Sequence, residues 1–218
     1  MKKPAASKTT EMILQPRVTL VSLLFLLFYL LLPSPSRADS PTEQVRATVD
    51  KVLTIVRNPN LKSDTQHEDL RAQLAQVIYP RFDFTEMAKR SLGPHWGRRT
   101  SDEKQEFVKT FTGLLAKSYV DKIESYGGDK VLYGREVEDM NYAEVNTKIF
   151  SKKGEVFSIN YKLHSVNNEW RVYDLVIENI SLVNNYRSQF HRVIVQSSFE
   201  DLVRIMKEKQ SPGSERSR

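Results

Sequence analysis

The residue types that most often carry chemistry are sparse in this sequence and form no familiar catalytic or metal-binding pattern. The chain has no cysteine, which excludes a thiol nucleophile and a thiolate metal site. Its four histidines are scattered, without the i, i+4 spacing of a zinc-binding helix: His67, His95, His164 and His191. There is also no Gly-rich phosphate loop and no Gly-x-Ser-x-Gly motif. We therefore predict no catalytic residue, no metal site and no cofactor.

Asp174 is the residue whose surroundings in the sequence come closest to acid–base chemistry. It lies in an alternating apolar segment, 169–177, that is typical of a strand. A carboxylate buried among apolar neighbours could act as a general base. The alternative is that Asp174 faces solvent or pairs with an arginine such as Arg187. The sequence leaves both arrangements open.

The elements that must position these groups are indicated by hydrophobic periodicity. After residue 130 the apolar residues recur at every second position, which predicts strands over 131–137, 142–150, 155–164 and 169–177. The turns between these segments are short, so consecutive strands must pair antiparallel. Apolar residues fall on one side of the middle strands and polar residues on the other. One face of the sheet is therefore expected to be covered by helices.

Helical periodicity predicts four helices before the sheet and two after it. Capping residues and proline mark their starts, which we place at Pro41, after Asp64, at Phe84, after Thr100, at Leu182 and at Phe199. The fourth and longest helix is expected to end at Gly127-Gly128. The expected fold class is α+β, with a four-stranded antiparallel sheet that has one face covered by about six helices.

The first 38 residues have the anatomy of a secretory signal peptide. Basic residues precede an apolar run from Val18 to Leu32, and small residues at Ser36 and Ala38 fit cleavage before Asp39. The run of about 15 residues is shorter than the ~20 that span a bilayer, which favours a cleaved signal over a membrane anchor. We expect residues 1–38 to be removed on export.

The charge balance depends on whether the signal is counted. The formal net charge is +6, and removing the signal, which carries five basic residues and one acidic residue, lowers it to +2. No basic stripe remains that could follow a phosphate backbone, so a nucleic-acid partner is not expected. The mature chain is predicted to be a single domain over 39–209, with a disordered tail at 210–218.

Several segments resemble the MlaC family, also called the toluene-tolerance or Tol2 family. The strand-to-helix run at 170–190 is similar to that of the family, PRFDFTEMA at 80–88 resembles its Pro-x-Phe-Asp-Phe-x-x-Met-Ala, and LGPHW at 92–96 resembles its Leu-Gly-x-x-Trp. The matches occur in the same order over 41–209. Asn179 stands where the family more often has glycine. Asn tolerates a positive φ, so the turn is expected to survive.

The resemblance implies a periplasmic carrier of phospholipid. It implies an apolar cavity between sheet and helices for the acyl chains. It also implies docking to an inner-membrane ABC transporter complex and an outer-membrane lipoprotein–porin complex, in a pathway that maintains outer-membrane lipid asymmetry. The residues expected to line this cavity are taken from the apolar faces of the predicted helices and strands: Phe84, Met87, Phe107, Phe111, Leu115, Tyr119, Ile159, Tyr161, Tyr186 and Phe190. Arg187 would either meet a lipid phosphate at the mouth or form an internal ion pair.

Two other functions remain open at this level. One is an enzyme on a cone-shaped α+β fold of the nuclear-transport-factor type, with Asp174 as its base. The other is a non-catalytic adaptor that binds other envelope proteins and has a filled core. The periodicity does not separate these readings, because residues that line a cavity and residues that fill a core lie on the same buried faces.

Overall fold

A computed structural model describes residues 39–61, 67–125, 130–151 and 154–211. These residues form an α+β fold of six α-helices and one antiparallel sheet. The predicted signal, the Asp64 cap and the Gly127-Gly128 helix end lie outside them, as do residues 212–218 of the predicted tail. None of the helices in the described part of the chain is long and apolar enough to cross a membrane.

Four helices precede the sheet and two follow it, as the periodicity predicted. They are α1 (Pro41–Arg57), α2 (His67–Ile78), α3 (Phe84–Leu92), α4 (Ser101–Ser125), α5 (Leu182–Gln196) and α6 (Phe199–Gln210). Short 3₁₀ segments at Pro59–Leu61, Tyr79–Arg81 and Gly93–Arg98 connect the first four helices.

Local sequence explains where the helices begin. Thr100 and Glu103 form the predicted capping box at the start of α4: the Thr100 hydroxyl accepts from the Glu103 backbone N–H, and the Glu103 carboxylate accepts from that of Thr100. Ser40 and Glu43 form the same arrangement at the start of α1. Asp83 caps α3 by accepting a hydrogen bond from the backbone of its third residue. These contacts satisfy N–H groups that have no partner within the helix.

The sheet pairs its strands in sequence order: β1 (Lys130–Asp139), β2 (Tyr142–Phe150), β3 (Val156–Val166), β4 (Glu169–Ile177) and β5 (Ile180–Ser181). In the β2–β3 pair, Ala143 lies opposite Leu163 and Val145 opposite Tyr161. Residues directly opposite each other share a face of the sheet. The apolar face expected from the alternation is therefore assembled by this pairing.

The prediction of a four-stranded sheet was wrong, because a fifth strand of two residues follows β4. Glu178 and Asn179 form a two-residue turn in which both have positive φ, 46° and 66°, and Ile180 pairs back with Ile177. Turns of this kind match the twist of a hairpin. Asn179 accepts the positive φ as expected. A strand of two residues has no detectable alternation, so periodicity could not reveal β5.

The hydrophobic core is divided into three clusters. The first joins α3, α4, α5 and α6 around Phe107 and Phe111, which are fully buried. The second packs α1 against β2, β3 and β4 around Val145 and Leu163. The third joins α1 to α2 around Leu74. A domain of this size usually has one contiguous core. The division leaves space between the sheet and the helices.

Candidate functional site

A pocket of about 1120 Å³ lies where the three clusters meet. This volume is slightly above the ~300–1,000 Å³ of most small-molecule sites. The sheet contributes a wall of apolar side chains from four strands: Val131, Ile149, Phe157, Ile159, Tyr161, Leu175 and Ile177. The opposite walls come mainly from α1, α2, α3 and α4.

Strand register makes the sheet wall continuous. Ile149 of β2 lies opposite Phe157 of β3, and Ile159 of β3 lies opposite Ile177 of β4. Opposed residues project from the same face, so large apolar side chains stand next to each other across neighbouring strands. The wall therefore follows from the alternation in each strand and from the pairing between strands.

Six of the ten residues expected to line a cavity border this pocket: Phe84, Met87, Leu115, Tyr119, Ile159 and Tyr161. The other four, Phe107, Phe111, Tyr186 and Phe190, meet in the first cluster between α4 and α5, with ring centroids 5.2–5.9 Å apart. The apolar periodicity of a helix explains why the ten residues divide into these two groups, because it indicates only that one face of the helix is buried. It does not indicate whether that side faces a neighbouring helix or a pocket.

Sequence reasoning did not select the pocket residues of the first two helices. They include Val49, Val52, Leu53, Leu74 and Ile78. These residues belong to the apolar stripes that predicted α1 and α2, so the signal was present in the sequence. What was missing was the distance between α1–α2 and the sheet, which is a tertiary property.

The rim of the pocket is mostly polar, apart from Ile180. The lining residues that are also exposed to solvent are Arg71, Tyr79, Glu178, Ile180 and Asn185. The Glu178 carboxylate accepts hydrogen bonds from the backbone N–H and, at 2.9 Å, from the hydroxyl of Ser158. These bonds favour the charged form and lower the pKa of Glu178. A fixed negative charge is thus held at the edge of the pocket.

The deeper part of the pocket carries hydroxyl groups that stay neutral. Burial raises the pKa of Tyr161 far above its usual range and that of Tyr119 to about 12. Lys117 also borders the pocket, but its Nζ donates to the carbonyl oxygens of Gln210 and Ser211, at 3.3 and 2.9 Å, at the end of α6. An apolar interior with a polar rim fits a ligand that has a long apolar part and a polar end.

Asp174 does not border the pocket. It is 5% exposed, and it accepts hydrogen bonds from the Ser181 hydroxyl at 2.7 Å and from the Val183 backbone N–H at 3.0 Å. A carboxylate here satisfies an N–H group at the start of α5 and lies at the positive end of the helix dipole. Asp174 is buried, as the first of the two expected arrangements required, but it has hydrogen-bond partners there. The alternative arrangement does not occur, because Asp174 does not face solvent and Arg187 Nε instead donates to the Arg90 carbonyl oxygen at 2.8 Å. Asp174 joins β4 to α5.

The fold brings three of the scattered histidines into polar contacts. His95 Nε2 lies 3.0 Å from His191 Nδ1, and His164 Nε2 lies 3.0 Å from Oδ2 of Asp83, the cap of α3. Within the described ranges, no group of three or more His, Cys, Asp or Glu residues could hold a metal ion. The contacts connect elements that are distant in the sequence.

A model of the MlaC protein family matches residues 46–208 of this chain. The chain is 20% identical over 177 residues to the intermembrane phospholipid transport system binding protein MlaC of Haemophilus influenzae. The aligned residues make up 79% of this chain and 83% of that protein. It is 21% identical over 155 residues to the toluene tolerance protein ttg2D of Pseudomonas putida, which covers 70% of this chain and 72% of that protein.

A solved structure shares the fold. It is that of the phospholipid-binding protein from Ralstonia solanacearum in complex with a phospholipid, with a TM-score of 0.70 and 27% sequence identity, covering 79% of this chain and 97% of that one. The resemblance to the MlaC family is therefore confirmed over residues 46–208, which include the 80–88, 92–96 and 170–190 segments. Because the family model spans most of the chain and the relatives agree with it, this chain belongs to the MlaC family.

Proposed function

We propose that this protein is a phospholipid carrier that holds acyl chains in the pocket between the sheet and the helices. The proposal rests on one observation above all, the 1120 Å³ pocket with an apolar wall and a polar rim. The structural relative from Ralstonia solanacearum, which was solved in complex with a phospholipid, supports this reading of the pocket.

The energetics of acyl chains explain why a carrier needs such a pocket. Each CH₂ group exposed to water costs about 0.8 kcal/mol, so two sixteen-carbon chains amount to on the order of 20 kcal/mol before compensation. A protein that moves a phospholipid through water must therefore cover the tails. The polar head group can stay at the rim, where water and the Arg71 and Glu178 side chains are accessible.

We assign the tail contacts to the predicted residues that border the pocket: Phe84, Met87, Leu115, Tyr119, Ile159 and Tyr161. The aromatic residues of the first cluster hold α4 against α5 and thereby support one wall. No enzymatic step belongs to the proposal. The carboxylate of Asp174, the residue considered as a base, is engaged by the start of α5.

The cellular setting is part of the same proposal. The segment at 1–38 would direct export and be cleaved before Asp39, which places the mature protein in the periplasm. Its docking partners would be an inner-membrane ABC transporter complex and an outer-membrane lipoprotein–porin complex, and its role would be to maintain outer-membrane lipid asymmetry. The name of the Haemophilus influenzae relative, which refers to an intermembrane transport system, supports this setting.

Purification from the periplasm without detergent tests the proposal. Native mass spectrometry and organic extraction are expected to detect bound phospholipid on a chain that begins at Asp39. Ile159→Trp would fill the pocket wall and lower the bound lipid. The matched control, Val195→Trp, places the same ring on the exposed surface of α5 and should leave lipid content unchanged. Wild-type protein with no phospholipid at any stoichiometry would contradict the carrier function.

A further inference from the structure

The hairpin that joins β1 to β2 carries a cluster of exposed apolar side chains. Its turn is Met140-Asn141, between the opposed residues Asp139 and Tyr142. Met140 is 91% exposed, the largest exposed fraction among the large apolar residues that the structure describes. Val137 and Tyr142, which are 40% and 48% exposed, lie within three residues of it. We call Val137, Met140 and Tyr142 the hairpin patch.

Exposed apolar residues elsewhere are spread over the fold, which is normal at a protein surface. In the described part of the chain, the other five large ones lie in five different elements: Tyr79, Leu132, Val156, Ile180 and Val195. The hairpin patch instead collects three such residues within six consecutive positions. This concentration distinguishes the hairpin from the rest of the surface.

Strand register shows which side of the sheet the patch occupies. Val137 lies opposite Glu144, and Asp139 lies opposite Tyr142. Opposed residues share a face, and so do residues two apart in a strand, so Val137 and Tyr142 project from the same side. Ala143, between Tyr142 and Glu144, is buried in the cluster that packs α1 against the sheet. The strand residues of the hairpin patch therefore point away from α1, and no residue of the patch borders the pocket.

Backbone and ring contacts hold the patch in place. The backbone N–H of Ser165 donates to the carbonyl oxygen of Asn141 at 2.9 Å, which connects the turn to the end of β3. The Tyr142 ring stacks on that of His164 with centroids 6.5 Å apart, and the Tyr173 ring meets both edge-on. A side chain that is already held in one position loses less entropy when it binds a partner.

The backbone at Met140 is a second, independent indication of a function. Its φ is 49°, in the left-handed region that residues with a Cβ disfavour. In the described ranges the other non-glycine residues with positive φ are all polar: Asn167, Asn168, Glu178 and Asn179. Asn would suit this turn better than Met. Because Met140 is almost fully exposed, it contributes little packing within the chain, and a contact outside the chain explains its presence.

Negative charge surrounds the turn. Residues 135–144 include four acidic residues and one basic residue, in a chain whose formal charge without residues 1–38 is +2. Glu144 lies opposite Lys162, whereas Glu138 and Asp139 are exposed beside the turn. Negative charge at this position repels the anionic head groups of a bilayer, and it also repels the same hairpin of a second copy.

We propose that the hairpin patch is a docking site for a protein partner that presents an apolar cleft bordered by lysine or arginine. Met and Tyr are enriched in protein interfaces, and a few buried anchors provide most of the binding energy. Complementary charge around them speeds association and fixes the orientation. Because the hairpin patch and the pocket lie on different faces of the sheet, the protein can dock while lipid is bound.

The test rests on the proposed function for its probes, which are the purified inner-membrane and outer-membrane complexes. Biolayer interferometry is expected to show that the lipid-loaded wild-type protein binds at least one of them, and that added salt weakens the binding. Met140→Asn should weaken it about tenfold. The melting temperature of this variant should equal or exceed that of the wild type, because Asn tolerates a positive φ. Weaker binding by an equally stable protein excludes unfolding as the cause.

Matched variants complete the test. Val195→Asn removes an exposed apolar side chain from α5 and should bind like the wild type. Glu138→Gln with Asp139→Asn should weaken binding and reduce its dependence on salt.

Equal binding by the wild type and Met140→Asn would overturn the proposal. Wild-type protein that carries phospholipid and binds neither complex would also overturn it, while the carrier function would stand. Attachment to phosphatidylglycerol vesicles, or self-association in analytical ultracentrifugation, that Met140→Asn abolishes would replace the protein partner with a membrane or a second copy.

Discussion

Asp174 connects β4 to α5 through hydrogen bonds to Ser181 and Val183, and the imidazole of His95 meets that of His191. Both side chains have partners that belong to a different element. The sequence shows a carboxylate in a strand and a histidine after a helix, but it does not show which N–H or ring nitrogen lies nearby. At this scale, a residue's role depends on the tertiary contact it makes.

Asp174→Asn should destabilise the protein and leave its lipid content unchanged. The amide keeps one acceptor but loses the charge at the start of α5, and its NH₂ group cannot accept from Ser181. We expect a loss of about 1–3 kcal/mol in the free energy of unfolding, measured by urea denaturation. Asp102→Asn, at an exposed site in the first turn of α4, should cost less. A folded Asp174→Asn protein without lipid would contradict the purely structural role assigned to Asp174.

The His95–His191 contact should make stability depend on pH. Burial lowers the pKa of His95 below its usual value of 6.5, with further contributions from His191, Arg98 and Arg99. The folded protein therefore binds this proton less readily than the unfolded chain, so stability should decrease as the pH falls through about 6.5 and below. Melting temperatures across this range should show a shallower dependence for His95→Gln. An unchanged slope in that variant would rule out His95 as the source.

At the scale of elements, the junction from β4 to α5 combines a hairpin turn with a helix cap. The turn at Glu178 and Asn179 reverses the chain into β5, Ser181 caps α5, and the same hydroxyl donates to Asp174. A turn, a helix cap and a hydrogen bond back to the strand thus occur within about ten residues. The sequence predicted the strand and the helix correctly, whereas the hairpin between them depends on backbone dihedrals.

Substitutions at Asn179 test that hairpin. With a φ of 66°, Asn179→Ala should cost about 1–2 kcal/mol, since residues with a Cβ disfavour the left-handed region. Asn179→Gly should cost much less, because glycine adopts this region without steric penalty. Urea denaturation of both variants measures the difference. Asn184→Ala, an exposed helical site, serves as a control, and equal effects of Ala and Gly at 179 would contradict the strain argument.

At the scale of the whole molecule, the separation of the core into three clusters matters most. Two alanines show the consequence. Ala143 of β2 is packed in the cluster between α1 and the sheet, whereas Ala75 of α2 borders the pocket. The same enlargement should therefore have different effects at the two sites.

Ala143→Phe should destabilise the delipidated protein by about 1–3 kcal/mol through overpacking. Ala75→Phe should leave its melting temperature nearly unchanged and lower the bound phospholipid, because the ring enters the pocket. Thermal melts of delipidated protein and a phospholipid assay distinguish the two variants. If Ala75→Phe destabilises as much as Ala143→Phe and lipid content stays the same, acyl chains do not occupy this pocket.

The sequence by itself determined the helices, the four long strands and the buried faces of both, because hydrophobic period, caps and turn residues are local properties. It also contained the motifs that placed the chain in its family. Only the tertiary structure decided which buried faces meet and which stay apart. The aromatic faces of α4 and α5 closed on each other around Phe107 and Phe111, while α1, α2 and the sheet left a pocket between them. Hydrophobic periodicity indicates that a side chain is buried. It does not indicate whether that side chain packs against a neighbouring element or borders a pocket.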